Sequence, residues 1–219
     1  MWTIPTQCNF SSDFYIGLPT SKMTFILSQI KMDKLGKNTI IKVIKQAIED
    51  PQVDELFSYK PDTRDEIKIF GKTVKLPRYQ KLYGEGTYKY SRMTMVADSN
   101  VPALVSKCIE YARENYSEFN WDVALVNWYM SGSDYVSWHS DDESDLTEGA
   151  PILSFSFGGS RLFKVREKDN HDNMHMYQTE NNMCIIMMGD CQKECEHTVT
   201  ATKKQVNPRI NITVRSLKS

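Results

Sequence analysis

The residue pattern that follows Trp121 most constrains the fold, because its apolar residues recur with a period of two. Seven short runs have the length and alternation of β-strands: 122–130, 152–157, 161–166, 174–178, 183–188, 195–199 and 209–215. Gly158 and Gly159 separate two of these runs and predict a hairpin turn. Many short strands behind a more helical N-terminal half indicate an α+β, mainly β fold, in which a sandwich or barrel carries helices on its outside.

The segment 38–48 has a helical pattern. Apolar residues between Ile40 and Ile48 recur at three and four positions behind Asn38 or Thr39, either of which can serve as the cap. The polar, proline-punctuated stretch 50–62 that follows is the nearest feature to a domain boundary. We therefore expect an N-terminal helical extension over residues 1–60 and a main domain over residues 61–219.

A second helix is predicted after Asn100. Pro102 lies near its first turn, and an apolar stripe runs from Val101 to Ala112. Both predicted helices are interpreted as amphipathic cover for the strands, without chemistry of their own.

The composition is that of a globular protein, with 40% hydrophobic and 25% charged residues. No apolar run reaches the roughly 18 residues of a membrane span, and the first ten residues lack the pattern of a secretory signal. Five cysteines without a paired framework indicate a reducing compartment. We expect an intracellular monomer, in the nucleus or the cytoplasm, without membrane partners.

Charge is segregated along a chain whose net charge is −1. Residues 68–92 carry seven basic side chains and one acidic, a net of +6, whereas residues 131–150 carry six acidic side chains and no Lys or Arg. Such runs are usually solvated faces. The basic run, however, is interleaved with aromatic residues, namely Phe70, Tyr79, Tyr83, Tyr88 and Tyr90. The combination therefore also fits a second interpretation, a surface that binds phosphates and bases.

The last strand-like run has two chemically different faces. Ile210, Ile212 and Val214 share one face, and Arg209, Asn211, Thr213 and Arg215 share the other. The polar face can be a solvated exterior, or its arginines can bind a carboxylate inside a barrel. Asn127 and Tyr129 likewise share one face of the run 122–130.

His139 and Asp141 form a His-x-Asp sequence, and His197 follows far downstream. Two histidines and one carboxylate leave open coordination positions, as in non-haem Fe(II) oxygenases. A zinc site built from Cys191, Cys195 and His197 is the rival metal hypothesis, but no second zinc knuckle accompanies it. His171 and His175 lie in a polar hairpin and are interpreted as loop residues.

With these motifs, the chain resembles the AlkB-type family of Fe(II)- and 2-oxoglutarate-dependent dioxygenases, most closely its DNA-repair members. The resemblance extends from about residue 69 to residue 217. Its stretches include Phe70-Gly71-Lys72, Pro77-Arg78, Asn127-x-Tyr129, His139-x-Asp141-Asp142-Glu143, Ser154-x-Ser156-x-Gly158, Arg161-x-Phe163 and Pro208-Arg209-x-Asn211-x-Thr213-x-x-Arg215. Ser140 departs from the family pattern, in which a basic residue is common at that position.

The resemblance implies a double-stranded β-helix (jelly-roll) core in which His139, Asp141 and His197 hold Fe(II). By the same resemblance, 2-oxoglutarate binds through Arg209 and Tyr129, and Asn127, Asn211, Thr213 and Arg215 line the rest of its pocket. O2 is the oxidant, an N-methyl group is hydroxylated, and the product releases formaldehyde.

The same resemblance implies alkylated DNA as the partner, with the methylated base flipped out of the duplex. Tyr88 or Tyr90 would then stack on the base, Asp142 and Glu143 would contact its polar edge, and Phe70 would fill the gap. Lys72 would lie near the phosphates, and Arg78 would lie near the phosphates or the orphaned base. Three alternatives stay open: an RNA demethylase of the same chemistry, a protein hydroxylase, and a nucleic-acid-binding module without turnover.

Overall fold

The computed structural model describes residues 29–69, 71–90 and 93–218. Its strands are β1 (Ile30–Leu35), β2 (Thr39–Lys45), β3 (Glu66–Ile69), β4 (Lys72–Lys75), β5 (Tyr79–Gly84), β6 (Thr87–Tyr90), β7 (Met93–Val96), β8 (Val123–Tyr129), β9 (Val136–His139), β10 (Ile152–Gly158), β11 (Leu162–Glu167), β12 (Met174–Gln178), β13 (Met183–Gly189), β14 (Cys195–Val199) and β15 (Arg209–Arg215). Its helices are α1 (Val53–Ser58), α2 (Ala103–Asn115) and α3 (Cys191–Glu194).

Two antiparallel sheets form the core of the molecule. The major sheet has the order β1-β2-β13-β10-β15-β8-β5, and the minor sheet has the order β12-β11-β14-β9. The hairpins β3–β4 and β6–β7 are separate two-stranded sheets. The architecture confirms the expected mainly β jelly roll, and all seven strand-like runs of the sequence are strands.

The central strand β15 separates an apolar layer from a polar one, as its alternation predicts. Ile210, Ile212 and Val214 belong to the apolar cluster that also contains the buried side of α2. A second apolar cluster includes Val43 and Ile185 of the major sheet and Phe163 and Val165 of the minor sheet, so it lies between the two. The polar face of β15 is buried on the side opposite α2. The alternative that this face is a solvated exterior is therefore wrong.

The prediction of a helix over 38–48 is wrong, because Thr39–Lys45 is strand β2. It pairs with β1 on one side and β13 on the other, so the segment belongs to the major sheet. Its run of β-branched residues, Ile40, Ile41, Val43 and Ile44, favours a strand. Of residues 29–60, only α1 is helical, and the description of this part as a helical extension is therefore incorrect.

Gly158 and Gly159 do not connect a hairpin, because β10 pairs with β13 and β15, whereas β11 pairs with β12 and β14. The two glycines carry the chain from the major to the minor sheet. A Cβ on Gly159 would lie 2.1 Å from the carbonyl oxygen of Asn207, so this close approach requires glycine.

The predicted second helix is confirmed as α2. Pro102 is its N-cap residue, and five of the six predicted stripe residues are buried, from Leu104 to Ala112. None of the helices in the described ranges is long and apolar enough to cross a membrane.

Candidate metal centre and cosubstrate pocket

The minor sheet brings the two distant histidines together. His139 is the last residue of β9 and lies directly opposite His197 of β14 in the strand register. Their ring centroids are 4.2 Å apart. Asp141 follows β9 by two residues, and the candidate ligand atoms of the three side chains all lie within 4.8 Å of one another.

The protonation states at this cluster suit a divalent cation. Burial and the neighbouring His139 lower the pKa of His197 to about 3, and burial also lowers the pKa of His139. Burial alone would raise the pKa of the Asp141 carboxyl, but Arg215, His197 and His139 lower it well below its usual range. The histidines are therefore neutral and the carboxylate is ionised near neutral pH, as metal ligation requires.

The ligand set fits iron. The Nδ1 atom of His139 lies 2.8 Å from the carbonyl oxygen of Ser137, so its Nε2 remains for a metal. The Oδ2 atom of Asp141 is buried and has no hydrogen-bond partner among the described residues. Two histidines and one carboxylate on neighbouring strands match the facial triad of non-haem Fe(II) oxygenases.

Arg209 provides a buried cation next to this triad. It is 1% exposed and lines the same pocket as His139 and His197. Its Nη2 donates to Ser156 Oγ at 2.7 Å, but its Nε and Nη1 atoms make no hydrogen bond within the described ranges. Burial lowers the pKa of Arg209 to about 10, which still leaves it charged. A buried guanidinium with unused donors fits the distal carboxylate of 2-oxoglutarate.

The other expected cosubstrate residues form the walls of the pocket. Tyr129 places its ring centroid 5.1 Å from the Arg209 guanidinium carbon. Asn211 Nδ2 donates to Ser154 Oγ and to the Phe155 carbonyl, each at 2.9 Å, and Asn211 Oδ1 accepts from Thr213. Asn211 and Thr213 therefore fix the geometry of the wall by their hydrogen bonds to each other and to β10.

Arg215 has a role that the sequence did not reveal. Its Nη2 donates to Asp141 Oδ1 at 2.9 Å, and both side chains are buried. Arg215 lines the pocket as expected, and in addition it holds a candidate metal ligand.

Arg78 is not part of an exposed phosphate-binding surface, which corrects the sequence-based expectation. It is 4% exposed, its Nε donates to Asn127 Oδ1 at 2.8 Å, and it lines the pocket of the triad. Arg78 directly precedes β5. Because β5 pairs with β8, Arg78 lies at the inner face of the major sheet.

Tyr88 is likewise buried, and its ring centroid lies 5.3 Å from the Arg215 guanidinium carbon. Its hydroxyl donates to Glu143 Oε2 at 2.8 Å. Stacking of Tyr88 on a base is inconsistent with this position. Tyr83 is also a core residue, so the aromatic residues of the basic run do not form a single surface.

The remaining substrate candidates are split between the exposed surface and the residues outside the described ranges. Lys72 is exposed in β4, where all four residues are exposed, and Asp142 is exposed beside the candidate metal ligand Asp141. Phe70 and the side chain of Tyr90 lie outside the described residues, and their roles remain predictions.

No second metal cluster accompanies the triad in the described part of the chain. Cys191 and Cys195 are buried and do not belong to the cluster of candidate ligands around His197, which gives the zinc hypothesis no support. His171 lies in the turn after β11 as expected, whereas His175 belongs to strand β12.

Sequence analysis missed three polar residues that shape the site. Ser154 and Ser156 anchor Asn211 and Arg209, and their alternation on β10 within the family-like stretch was the available signal. Gln192 accepts a hydrogen bond from the Asp141 backbone, and no local pattern marks it.

Comparison with known sequences identifies related proteins. The sequence model of the 2OG-Fe(II) oxygenase superfamily matches residues 33–215. The DNA oxidative demethylase ALKBH2 of Mus musculus is 29% identical over 178 residues, which cover 76% of this chain and 72% of that protein. The alpha-ketoglutarate-dependent dioxygenase alkB homolog 3 of Bos taurus is 33% identical over 153 residues, which cover 66% of this chain and 53% of that protein.

A solved structure, that of OsALKBH1, shares the fold. It superposes with a TM-score of 0.56 at 18% sequence identity, and the match covers 85% of this chain and 100% of that chain. The curated relatives are longer: the chain spans 72% of the mouse protein, but 57% and 53% of the two bovine proteins that it matches.

Proposed function

We propose that this chain, which belongs to the 2OG-Fe(II) oxygenase superfamily and is of the AlkB type, oxidatively removes N-methyl groups from bases in DNA and releases formaldehyde. The observation that carries the proposal is one pocket that holds both the His139–Asp141–His197 triad and the buried Arg209. Relatives named DNA oxidative demethylase ALKBH2 support DNA as the substrate.

The bound cofactors supply the oxidation: one oxygen atom of O2 enters a methyl C–H bond, and the other enters the succinate that forms from 2-oxoglutarate with loss of CO2. His139, Asp141 and His197 would hold the iron. Arg209 would bind the distal carboxylate of 2-oxoglutarate through its Nε and Nη1, while Ser156 keeps its Nη2 in place.

The protein orients these groups before any substrate arrives. Arg215 fixes the Asp141 carboxylate, and the bonds of Asn211 fix the wall behind the cosubstrate. The pocket is buried between the two sheets, so charge–charge interactions in it are stronger than in water. Such preorganised positioning is the main contribution a protein makes to cofactor chemistry.

Glu143 is the best-placed residue to recognise a flipped base. Burial and then the charge of Asp141 raise its pKa, and Tyr88 fixes its Oε2 by a hydrogen bond. Its other oxygen can accept from the amino group of a base edge. Exposed Asp142 can contact the same edge, since it adjoins the metal ligand Asp141 in the chain.

Phosphate contacts would come from the exposed β4 strand. Lys72→Ala combined with Lys75→Ala should weaken DNA binding and reduce the slope of log affinity against log salt, by about 0.9 for each duplex phosphate that the variant no longer neutralises. Lys37→Ala is the matched control, because Lys37 is equally exposed but lies in the β1–β2 turn. An unchanged slope in the double variant would remove β4 from the interface.

The substrate form is tested with methylated single-stranded DNA, duplex DNA and RNA oligonucleotides, with formaldehyde as the readout. We expect turnover on DNA, and we expect Phe70→Ala to slow repair of the duplex much more than of the single strand, because only a duplex has a gap to fill. Equal slowing would remove this role of Phe70. Turnover on RNA alone would make the chain an RNA demethylase of the same chemistry.

A further inference from the structure

Gln192 joins the metal ligand Asp141 to the helix that connects the two sheets. It lies in α3, between β13 of the major sheet and β14 of the minor sheet, five residues before His197. Its side-chain oxygen Oε1 lies 2.9 Å from the backbone nitrogen of Asp141. A backbone N–H can only donate, so the carbonyl end of the Gln192 amide must face it.

The backbone at Asp141 needs such a partner because it lies beyond the end of a strand. β9 ends at His139, and the register between β9 and β14 is irregular, with pairs at His197–His139 and Val199–Val136. Asp141 is 2% exposed, so a backbone N–H without a partner there would be shielded from water and unfavourable. The Gln192 amide replaces the missing strand partner.

A second bond ties the same two segments together. The hydroxyl of Ser140 donates to the carbonyl oxygen of Cys195 at 2.7 Å. The two residues after β9 are therefore attached to the segment 192–195, which leads directly into β14 and the ligand His197. These two bonds and the pairing of β9 with β14 connect the Asp141 segment to the strand that carries His197.

We infer that Gln192 is a positioning residue of the metal centre, which fixes the backbone of Asp141 while Arg215 fixes its carboxylate. The two anchors come from different parts of the fold, α3 and β15. Together they fix both the backbone and the carboxylate of Asp141, the single acidic ligand. The inference deepens the proposed function but depends on its metal site alone, so a wrong DNA assignment would leave it intact.

The test is Mn(II) binding to the metal-free protein in the presence of 2-oxoglutarate, measured by calorimetry for Gln192→Met. Methionine is similar in length but has no oxygen for the Asp141 N–H. We expect the dissociation constant for Mn(II) to rise about 10–100-fold, the usual effect of losing a group that orients a metal ligand. An unchanged constant in a folded Gln192→Met protein would overturn the inference.

Two further variants separate positioning from general damage. Gln192→Glu keeps an oxygen acceptor for the Asp141 N–H. Its dissociation constant for Mn(II) should therefore be closer to the wild-type value than that of Gln192→Met. Gln178→Met is the matched control, because Gln178 is exposed on β12 and its amide donates to Ser160. Loss of binding in Gln178→Met, or no recovery in Gln192→Glu, would contradict the inference.

A measurement on the unmodified protein keeps the inference testable if Gln192→Met does not fold. Amide hydrogen exchange should show the Asp141 N–H protected in the folded, metal-free protein, since Gln192 holds it. Exchange of that amide at the rate of an unprotected loop would show that the bond is absent and would overturn the inference.

Discussion

Arg215 Nη2 donates to Asp141 Oδ1 at 2.9 Å, which connects strand β15 of the major sheet to the acidic candidate metal ligand that follows β9 of the minor sheet. Both side chains are buried, at 3% and 2% exposure. Removal of either partner from a buried ion pair of this kind destabilises the folded protein, because the remaining charge is left without compensation. Removal of Asp141 should therefore affect folding as well as metal binding.

We predict that Asp141→Ala abolishes metal binding and turnover and lowers the free energy of unfolding by about 3–5 kcal/mol. Asp141→Asn should also lose the metal but should be less destabilised, since its amide oxygen can still accept from Arg215. Denaturant unfolding of the metal-free proteins measures both effects. Asp142→Ala is the control, because Asp142 is exposed. Wild-type stability of Asp141→Ala would refute the structural role of the pair.

A second prediction concerns pH. The pKa of His197 is lowered to about 3 by burial and by His139, whereas in the unfolded chain it is about 6.5. Between these values the unfolded chain binds more protons than the folded protein. The stability of the metal-free protein should therefore fall as pH decreases below 6.5, by up to about 1.4 kcal/mol per pH unit for this group.

The check for this pH dependence is unfolding between pH 7 and pH 5, where most carboxyl groups stay ionised. Glu143, whose pKa is raised by burial, is present in all the proteins that are compared. His197→Ala should show a smaller slope than the wild type. His171→Ala should keep the wild-type slope, because His171 is 56% exposed in the turn after β11. The same slope in all three proteins would show that His197 is not held neutral by the fold.

Arg209→Ala should raise the KM for 2-oxoglutarate by tens to thousands of times, equivalent to about 2–5 kcal/mol, because the carboxylate loses its buried partner. DNA affinity should stay near the wild-type value. Arg166→Ala is the control: Arg166 pairs with Glu196 and packs on Trp138, and it is not among the residues that line the pocket. An unaltered KM in Arg209→Ala would exclude β15 as the cosubstrate strand.

The contribution of β2 can be tested at two adjacent residues. Ile41 is 0% exposed within the apolar cluster between the sheets, whereas Ile40 is only partly buried. Ile41→Ala should cost about 2–5 kcal/mol of stability, and Ile40→Ala should cost clearly less. Thermal unfolding gives the comparison. Equal effects, or wild-type stability in Ile41→Ala, would show that residues before 61 are separate from the catalytic fold.

Local alternation explains why the strands of the C-terminal half were predictable. β12, β14 and β15 have the predicted bounds. In β14 and β15 the period-two pattern coincides with burial in the sheet, whereas most of β12 is partly or fully exposed. The inward polar face of β15 follows from the same alternation. For β2 the helical spacing of the apolar residues was misleading, whereas the β-branched side chains favour a strand and the pairing with β1 and β13 fixes it.

Burial of single polar residues could not be predicted in this way. Whether Arg78 faces solvent or the pocket depends on the register of β5 against β8, which no local signal encodes. Tyr88 is buried in an apolar cluster with Val123 and Leu125, which lie more than thirty residues later in the chain. The hydrogen bond between Gln192 and the Asp141 backbone depends on the path of the loop after β9. The packing of the two sheets sets that path.

The most direct test of the proposed function is the mass of a DNA oligonucleotide that carries one N-methylated base, followed over time with the protein, Fe(II), 2-oxoglutarate and O2. The proposed demethylase activity predicts conversion to the unmethylated mass, with formaldehyde and succinate formed in equal amounts, and no conversion with Asp141→Ala. Consumption of 2-oxoglutarate with no change in the mass of the oligonucleotide would contradict the demethylase assignment.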